Sequence, residues 1–453
     1  MAKNVPRSAQ PSHVGRVDAP LHRLKIPVVV VGAGACGLVA ALAAKKAGVL
    51  ILERDASPSG STALSSGFIP AALTRFQRAE GVDDSPERMA ADILRKNKRE
   101  ADENLVHSLC RASGPTIEWL ADEHGVPFEL VRGFLYPGHS ALRMHSVPEK
   151  TGAALMAALL RACAGIDLLC SAAVTEVTAR SVRFRRPDGA VEEVEYGSLV
   201  LACSGFGGDP AMVRENIPEI ADAIYFGHAG NRGDAVKWGR ALGAAVKHMG
   251  AYQGHGSVAT PHGVLITWAL MMEGGIQVNA DGRRFSNEHL GYSEQCLPVL
   301  EQPGGVAWCV YDERLHRLGM TFPDYREAHA AGAIQPAPDL PSLAETLKEV
   351  ESCVDGRPDP FGRDFTTKPK LVPPYYAVKV TGALFHTQGG LVVDEYARVL
   401  DADGRPLPNL FAGGGAACGV SGAHVWGYLS GNGLLSAVTL GRIAGTGASR
   451  SRP

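Results

Sequence analysis

Two hydrophobic regimes alternate along this chain, and the sharper one comes first. Val28–Val31 is an unbroken β-branched run, the mark of a strand buried on both faces of a parallel sheet. Gly32, Gly34 and Gly37 follow at once in G-x-G-x-x-G spacing, and Leu38–Ala47 has helix-forming composition. Gly48 stops that helix, and Val49–Leu52 makes a second apolar run ending at Glu53. The pattern predicts a βαβ unit with a dinucleotide fingerprint. Its first glycine allows the tight turn, its second lets backbone approach a pyrophosphate, and its third lets helix and strand pack closely. The helix N-terminus attracts phosphate charge. Glu53 stands where a carboxylate accepts from ribose hydroxyls, and a 2′-phosphate would be repelled there.

A Gly/Ser/Thr-rich loop follows (57–75), offering many backbone N–H and hydroxyl donors. Residues 84–125 and Thr151–Cys163 carry helical periodicity, Phe134–His145 reads as a loop, and Ile166–Leu169 as a strand. Residues 174–208 read as a meander turning at Pro187-Asp188-Gly189 and returning through the strand Leu199–Cys203. A Gly/Asp loop and a helix, Val236–Leu242, come next. From about 260 the pattern becomes mixed strands and turns, and 335–374 reads as Pro-rich and irregular. After Tyr376 the βα signal returns, through LPNLFAGGG to a helix at Leu434–Ala444. The prediction is an α/β protein with a Rossmann-type nucleotide-binding domain split in sequence and an α+β capping domain inserted. The boundaries are 1–25 for a disordered extension, 26–258 and 377–453 for the nucleotide domain, and 259–376 for the cap.

Composition narrows the class. With 453 residues, 45% apolar and 20% charged, and a net charge of −2, the chain has a soluble globular balance and no signature of a nucleic-acid partner. Nine scattered Cys without a C-x-x-C argue against zinc, c-type haem and a disulfide framework, and for a reducing, cytoplasmic compartment. The polar, basic first 25 residues are neither a secretory signal nor a membrane span, and no transmembrane run stands out elsewhere.

A second Gly-rich strand end, NLFAGGG (409–415), is more than a simple NAD domain needs. At this point the chain resembles the FAD-dependent succinate dehydrogenase/fumarate reductase flavoproteins, a family that includes the 3-ketosteroid Δ1-dehydrogenases. The matching segments, in family order, are VVGAGACGLVAA, GSTALSSGF, LVLACSGFGG, GNRGDAVKWGRALGA, IQVNADGRRFSNE, FHTQGGLVVD and GNGLLSAVTLGRIAG. The resemblance implies FAD and a capping domain that closes over the substrate. It assigns cofactor contacts to Gly32, Gly34, Gly37, Glu53, Arg54, Ser61, Thr62, Ser65, Ser66, Gly67, Val174, Gly205, Asp234, Gly414 and Leu434. Ser61 stands where covalent members carry an attaching His, so non-covalent FAD is expected. Residues 48–50 are about two shorter than the family pattern, which requires a tight turn before the second strand.

The family moves a hydride between flavin and a carbon near a carbonyl or carboxyl group, and a proton at the adjacent carbon. Its fumarate reductases use one Arg to carry the proton and another to clamp a carboxylate. Here Tyr292 and Tyr428 stand at those places, and Trp268 stands for a Glu. Tyr292 also resembles the proton-removing Tyr of the ketosteroid dehydrogenases. A phenol cannot make an arginine fork, but it can donate to a ketone oxygen or, as phenolate, accept a proton once its ordinary pKa near 10 is lowered. His386 matches the family's substrate-side His in H-T-x-G-G. Thr267, Trp268, Trp426 and His145 are expected at the substrate, with Phe134 and Tyr136 giving an apolar lining, and Arg143 is the one carboxylate anchor left. No metal site is expected.

The leading expectation is an FAD-dependent dehydrogenase that introduces a carbon–carbon double bond beside a neutral cyclic or steroid-like ketone, with Tyr292 as base. The alternatives are a fumarate reductase-like ene-reductase for an unsaturated acid, and a non-catalytic flavin-binding electron carrier. No haem or iron–sulfur motif identifies the electron acceptor.

Overall fold

The computed structural model describes residues 25–450, so the extension expected over 1–25 lies outside the described residues except for Lys25. The elements that position the site are β1 (Lys25–Val31), α1 (Ala35–Ala44), β2 (Val49–Leu52), β3 (Asp167–Leu169), β4 (Val191–Leu201), β5 (Tyr252–Ala259), β6 (Ile276–Val278), β7 (Val306–Asp312), β8 (Tyr375–Thr387), β9 (Arg398–Leu400), β10 (Pro406–Ala412) and α2 (Asn432–Arg450).

One sheet runs β9-β10-β4-β1-β2-β3, parallel along this path except for β9, with two further strands, Ala173–Val177 and Ser181–Arg185, added antiparallel beside β4. Val28–Val31 pair with Val49–Leu52 on one side and Ser198–Leu201 on the other, and these residues are almost wholly buried. A strand covered on both faces needs apolar residues at every position, which is why the Val run reads without alternation. The short connection before β2 is met by a 3-10 turn, Lys45–Ala47, and by Gly48 at φ +89°. The second sheet is antiparallel along its main path, with β8 at its centre between β5 and β7, and β6 outside β7.

The architecture is a Rossmann-type FAD domain with an α+β cap, as the sequence pattern predicts. The expected cuts after 258 and 376 fall inside β5 and β8, and the short strand Ile224–Tyr225 also joins the second sheet through β8. Residues 335–374, read as irregular, contain the helix Leu343–Val354. The prolines of that segment flank this helix and leave its interior free. No helix among the described residues is long and apolar enough to cross a membrane.

Candidate active site

The site begins at the C-terminal ends of the parallel strands, where open α/β sheets bind ligands. A Cβ on Gly37 would lie 1.9 Å from the Gly32 carbonyl oxygen, so only glycine lets α1 sit this close to the turn. Gly34 differs: a Cβ there would meet nothing nearer than Thr62 Oγ1, at 3.6 Å. Gly34 thus opens onto a cavity of about 120 Å³, bordered by Gly32–Cys36, Glu53, Arg54, Ser61, Thr62 and Val174. The N-terminus of α1 faces the same side without a side-chain cap or an acidic residue in its first turn. Glu53 is oriented by the N–H groups of Ala33 (2.8 Å) and Asp55 (2.9 Å). Arg54 reaches Asp234 (2.5 Å) and the Gly230 carbonyl (2.8 Å), and the Ser61 hydroxyl accepts from Asn231 Nδ2 (2.7 Å).

Ser61, Thr62, Ser204, Gly414, Gly415 and Ala437 border both this cavity and a larger one of about 210 Å³. The two cavities therefore adjoin along this shared wall. The start of α2 lines the larger one, with Gly433 and Leu434 in its wall and the Ser436 hydroxyl buried without a partner among the described residues. An open helix N-terminus, a glycine cradle, a ribose-side carboxylate and an orphaned hydroxyl fit FAD. Ser65, Ser66, Gly67 and Gly414 line the larger cavity as well, whereas Gly205 lies beneath it, packed against Thr387.

The larger cavity is walled by aromatic rings. Tyr292 lies flat on His255, with centroids 4.5 Å apart and an interplanar angle of 14°. Tyr136, Trp268 and Tyr428 meet Tyr292 edge-on at 6.2–6.4 Å, and His386 meets Tyr428 at 5.5 Å. Tyr292, Tyr428 and His386 are thus brought together, with Thr267 and Trp268 in the same wall. The Tyr292 hydroxyl lies within hydrogen-bonding reach of Ser430 and Tyr428. Among the described residues lining this cavity, the charged groups are Lys150 and Asp324, and there is no arginine.

Burial sets the protonation states. It pushes the Tyr292 phenol well above its ordinary range, with Tyr428 adding to the rise, and pushes Tyr428 up to about 12. The sequence-based expectation of a lowered Tyr292 pKa is therefore corrected: among the described residues no cation touches the ring, and the phenol stays protonated. Burial also lowers His255 to about 3 and His386 to about 4, the latter partly offset by the backbone of Thr387, so both rings are neutral.

The R-F-x-N-E segment turns out to be structural. Glu288 is buried, accepts from Arg284 (2.7 Å) and Arg363 (3.0 Å), and takes the Gln277 N–H (3.0 Å), while Arg284 also bonds Asp359. The Glu288 carbonyl receives Trp268 Nε1–H at 3.2 Å. Paired in this way, the Glu288 carboxyl is lowered to about 2 despite its burial. Four residues later the Tyr292 carbonyl accepts from Gly256 N–H (3.0 Å).

Four expected substrate-side residues are not in this cavity. Phe134 packs edge-on against Tyr136 (4.8 Å) and Phe322 (5.6 Å) without lining it. Arg143 is fully buried and neutralised by Asp84 (2.8 Å) and Asp92 (2.7 Å), so it cannot anchor a carboxylate. His145 is buried behind the wall, with Nε2 on Thr74 Oγ1 (2.8 Å) and Nδ1 on the Arg143 carbonyl (2.9 Å). Trp426 sits under Lys98, 3.9 Å from the ring centroid, and stacks on His424.

His255 and Ser430 were missed. The signal for His255 was the run Gly254-His255-Gly256 in a strand: a Cβ on Gly254 would lie 2.2 Å from Cys296 Sγ, so the glycine lets the Tyr292 loop press onto β5. Ser257 N–H and Oγ meet His255 Nδ1 at 3.3 and 3.1 Å, which leaves Nε2 to carry the ring proton.

The fold and site define an FAD-dependent oxidoreductase. The family model of an FAD binding domain matches residues 27–434, and the chain belongs to this family, the flavoproteins of succinate dehydrogenase/fumarate reductase type. It is 30% identical over 449 residues to a probable fumarate reductase of Shewanella frigidimarina, covering 93% of this chain and 74% of that one. Among solved structures it is similar to the open conformation of a flavocytochrome c3 fumarate reductase (TM-score 0.79, 27% identity, 95% of this chain and 79% of that one). It is also similar to the 3-ketosteroid-Δ4-(5α)-dehydrogenase of Rhodococcus jostii RHA1 in complex with 4-androstene-3,17-dione (TM-score 0.76, 26% identity, 96% and 98%).

Proposed function

We propose that this enzyme acts on the carbon–carbon bond beside a neutral carbonyl, desaturating a cyclic or steroid-like ketone. The observation that supports the reading is the wall of Tyr136, Tyr292, Tyr428, Trp268, His255 and His386, with no arginine among the described lining residues. A dicarboxylate would have to shed its hydration in such a wall without a cation fork to replace it. A ketone needs only neutral donors, and Tyr428 and His386 stand together to supply them. FAD, when bound, supplies the hydride acceptor.

Tyr292 takes the proton from the carbon beside the carbonyl. Because its phenol is protonated at rest, it passes its own proton to Tyr428 as it receives the substrate's, and Tyr428 passes its proton to the carbonyl oxygen it holds, which releases it to solvent once the hydride has left. The substrate thereby loses one hydride and one proton. FAD is held non-covalently, since Ser61 offers a hydroxyl where an attaching imidazole would stand. The same protonated phenol favours a second reading, in which the reaction runs as reduction and Tyr292 donates to an enone.

The test is anaerobic mixing of oxidised enzyme with cyclohexanone, a saturated 3-ketosteroid and succinate. The ketones should bleach the flavin and succinate should not. Bleaching by succinate alone would overturn the reading. Reoxidation of dithionite-reduced enzyme by an enone, without bleaching by any ketone, would select the reductive direction.

A further inference from the structure

His386 ends a line of buried, directional hydrogen bonds. Asn432 Nδ2–H donates to Ser421 Oγ (3.1 Å), Ser421 Oγ–H donates to Gln388 Oε1 (2.8 Å), and Gln388 Nε2–H meets His386 Nδ1 (2.9 Å). Gln388 is 5% exposed, Ser421 1% and Asn432 0%. Both ends of the Gln388 amide are thereby engaged, although the residue borders the cavity. An imidazole whose Nδ1 accepts a hydrogen bond must carry its proton on Nε2. That edge lies beside Gly433, where a Cβ would fall 2.9 Å from Nε2, in the wall of the larger cavity.

We propose that Gln388 is a positioning residue, fixed by Ser421 and Asn432, that holds His386 as its neutral Nε2–H form and so makes it a permanent donor to a carbonyl oxygen. The consequence for substrate choice rests on the carbonyl reading above; the tautomer does not. An amide can set a tautomer without adding charge, whereas a carboxylate at the same place would draw a proton to Nδ1 and favour the imidazolium. Among the described residues the ring's surroundings add no competing charge. Tyr428 stands edge-on at 5.5 Å, Gln253 is its partner across β5, and its titration is governed by burial and the Thr387 backbone.

The test uses holoenzyme labelled with nitrogen-15 at histidine, the His386 signals being assigned by their absence in His386→Asn. The parent should show the neutral Nε2–H form throughout pH 6–8. In Gln388→Glu, His386 should become a titrating group. Ketone-dependent flavin reduction should then fall as pH rises through the titration of the His–Glu pair, because the neutral ring would keep its proton on Nδ1 and present a lone pair to the carbonyl. The loss at high pH should approach the roughly 10²-fold seen when one oxyanion donor is removed. The parent should show no such fall over the same range. Ser421→Ala should mix the two tautomers and Ser421→Thr should restore the parental spectrum. An Nδ1–H tautomer in the parent, or a pH profile of Gln388→Glu parallel to the parent's, would overturn the proposal. If no ketone reduces the parental flavin, the carbonyl reading fails, while the nitrogen-15 spectrum still decides the tautomer.

Discussion

The Tyr292 phenol lies flat on the neutral His255 imidazole, ring centroids 4.5 Å apart, although 36 residues separate the two in the chain. The stack holds the phenol in the aromatic wall, and the Gly256 N–H holds its backbone. Tyr292→Phe keeps the ring and removes only the hydroxyl. The expected result is a folded, yellow protein that binds ketone nearly as well as the parent and reduces its flavin about 10²–10⁴-fold more slowly. Stopped-flow flavin bleaching reads this directly, and parental rates would remove Tyr292 from the chemistry.

The pH profile of kcat/KM reports groups in the free enzyme. Since burial raises the Tyr292 phenol well above 10, its titration should contribute no limb to that profile between pH 6 and 9. A limb in this range that disappears in Tyr292→Phe would mean that burial does not control this group.

Gly34 faces the smaller cavity rather than the protein, with its nearest contact at 3.6 Å. Gly34→Val should therefore fold and lose its flavin, because the added methyl groups occupy cofactor space. Absorbance at the flavin bands after purification, set beside circular dichroism, separates lost binding from lost folding. In the parent, acid or heat should release all of the FAD; colour retained by the precipitate would show a covalent bond.

Glu288 lines neither cavity, yet it neutralises Arg363 and Arg284 inside the cap. Removing one member of a buried ion cluster typically costs about 3–5 kcal/mol. Glu288→Gln should show a loss of that order in chemical denaturation and should weaken activity by loosening the segment that carries Tyr292. An unchanged midpoint would mean that the surrounding hydrogen bonds suffice without the charge.

Burial holds His139, His145, His255, His289 and His386 neutral, with values lowered to about 3–4 from an ordinary 6.5. Between those values the unfolded chain binds more protons than the folded one. Their stabilisation is therefore complete above about pH 6.5 and lost as pH falls toward 4. Glu288 acts in the same direction at lower pH, between its ordinary 4.5 and about 2. The melting temperature should drop steeply from pH 6.5 to 5, while pH 7 to 8 should bring little change from these groups. A level melting temperature down to pH 5 would contradict the buried-neutral assignment.

The sequence by itself determined what local spacing can encode. Four consecutive Val, three glycines at fixed intervals and Glu53 at a strand end specify the βαβ unit because each acts on its own turn, helix or strand. The positions of Tyr292, Tyr428 and His386 were legible through the segments that carry them. Their convergence was decided by the loop after Glu288 and β8 both meeting the segment that carries Tyr428. Arg143 and His145 show the limit: an Arg-x-His run looks the same whether it faces substrate or the interior. Only the tertiary structure supplies Asp84 and Asp92, which neutralise the one, and Thr74, which satisfies the other. The glycines flanking His255 are visible in the sequence, but what they admit, a distant loop pressing onto its strand, is not. Protonation was decided the same way, because a pKa follows burial and neighbours, and both are set by residues far apart in the chain.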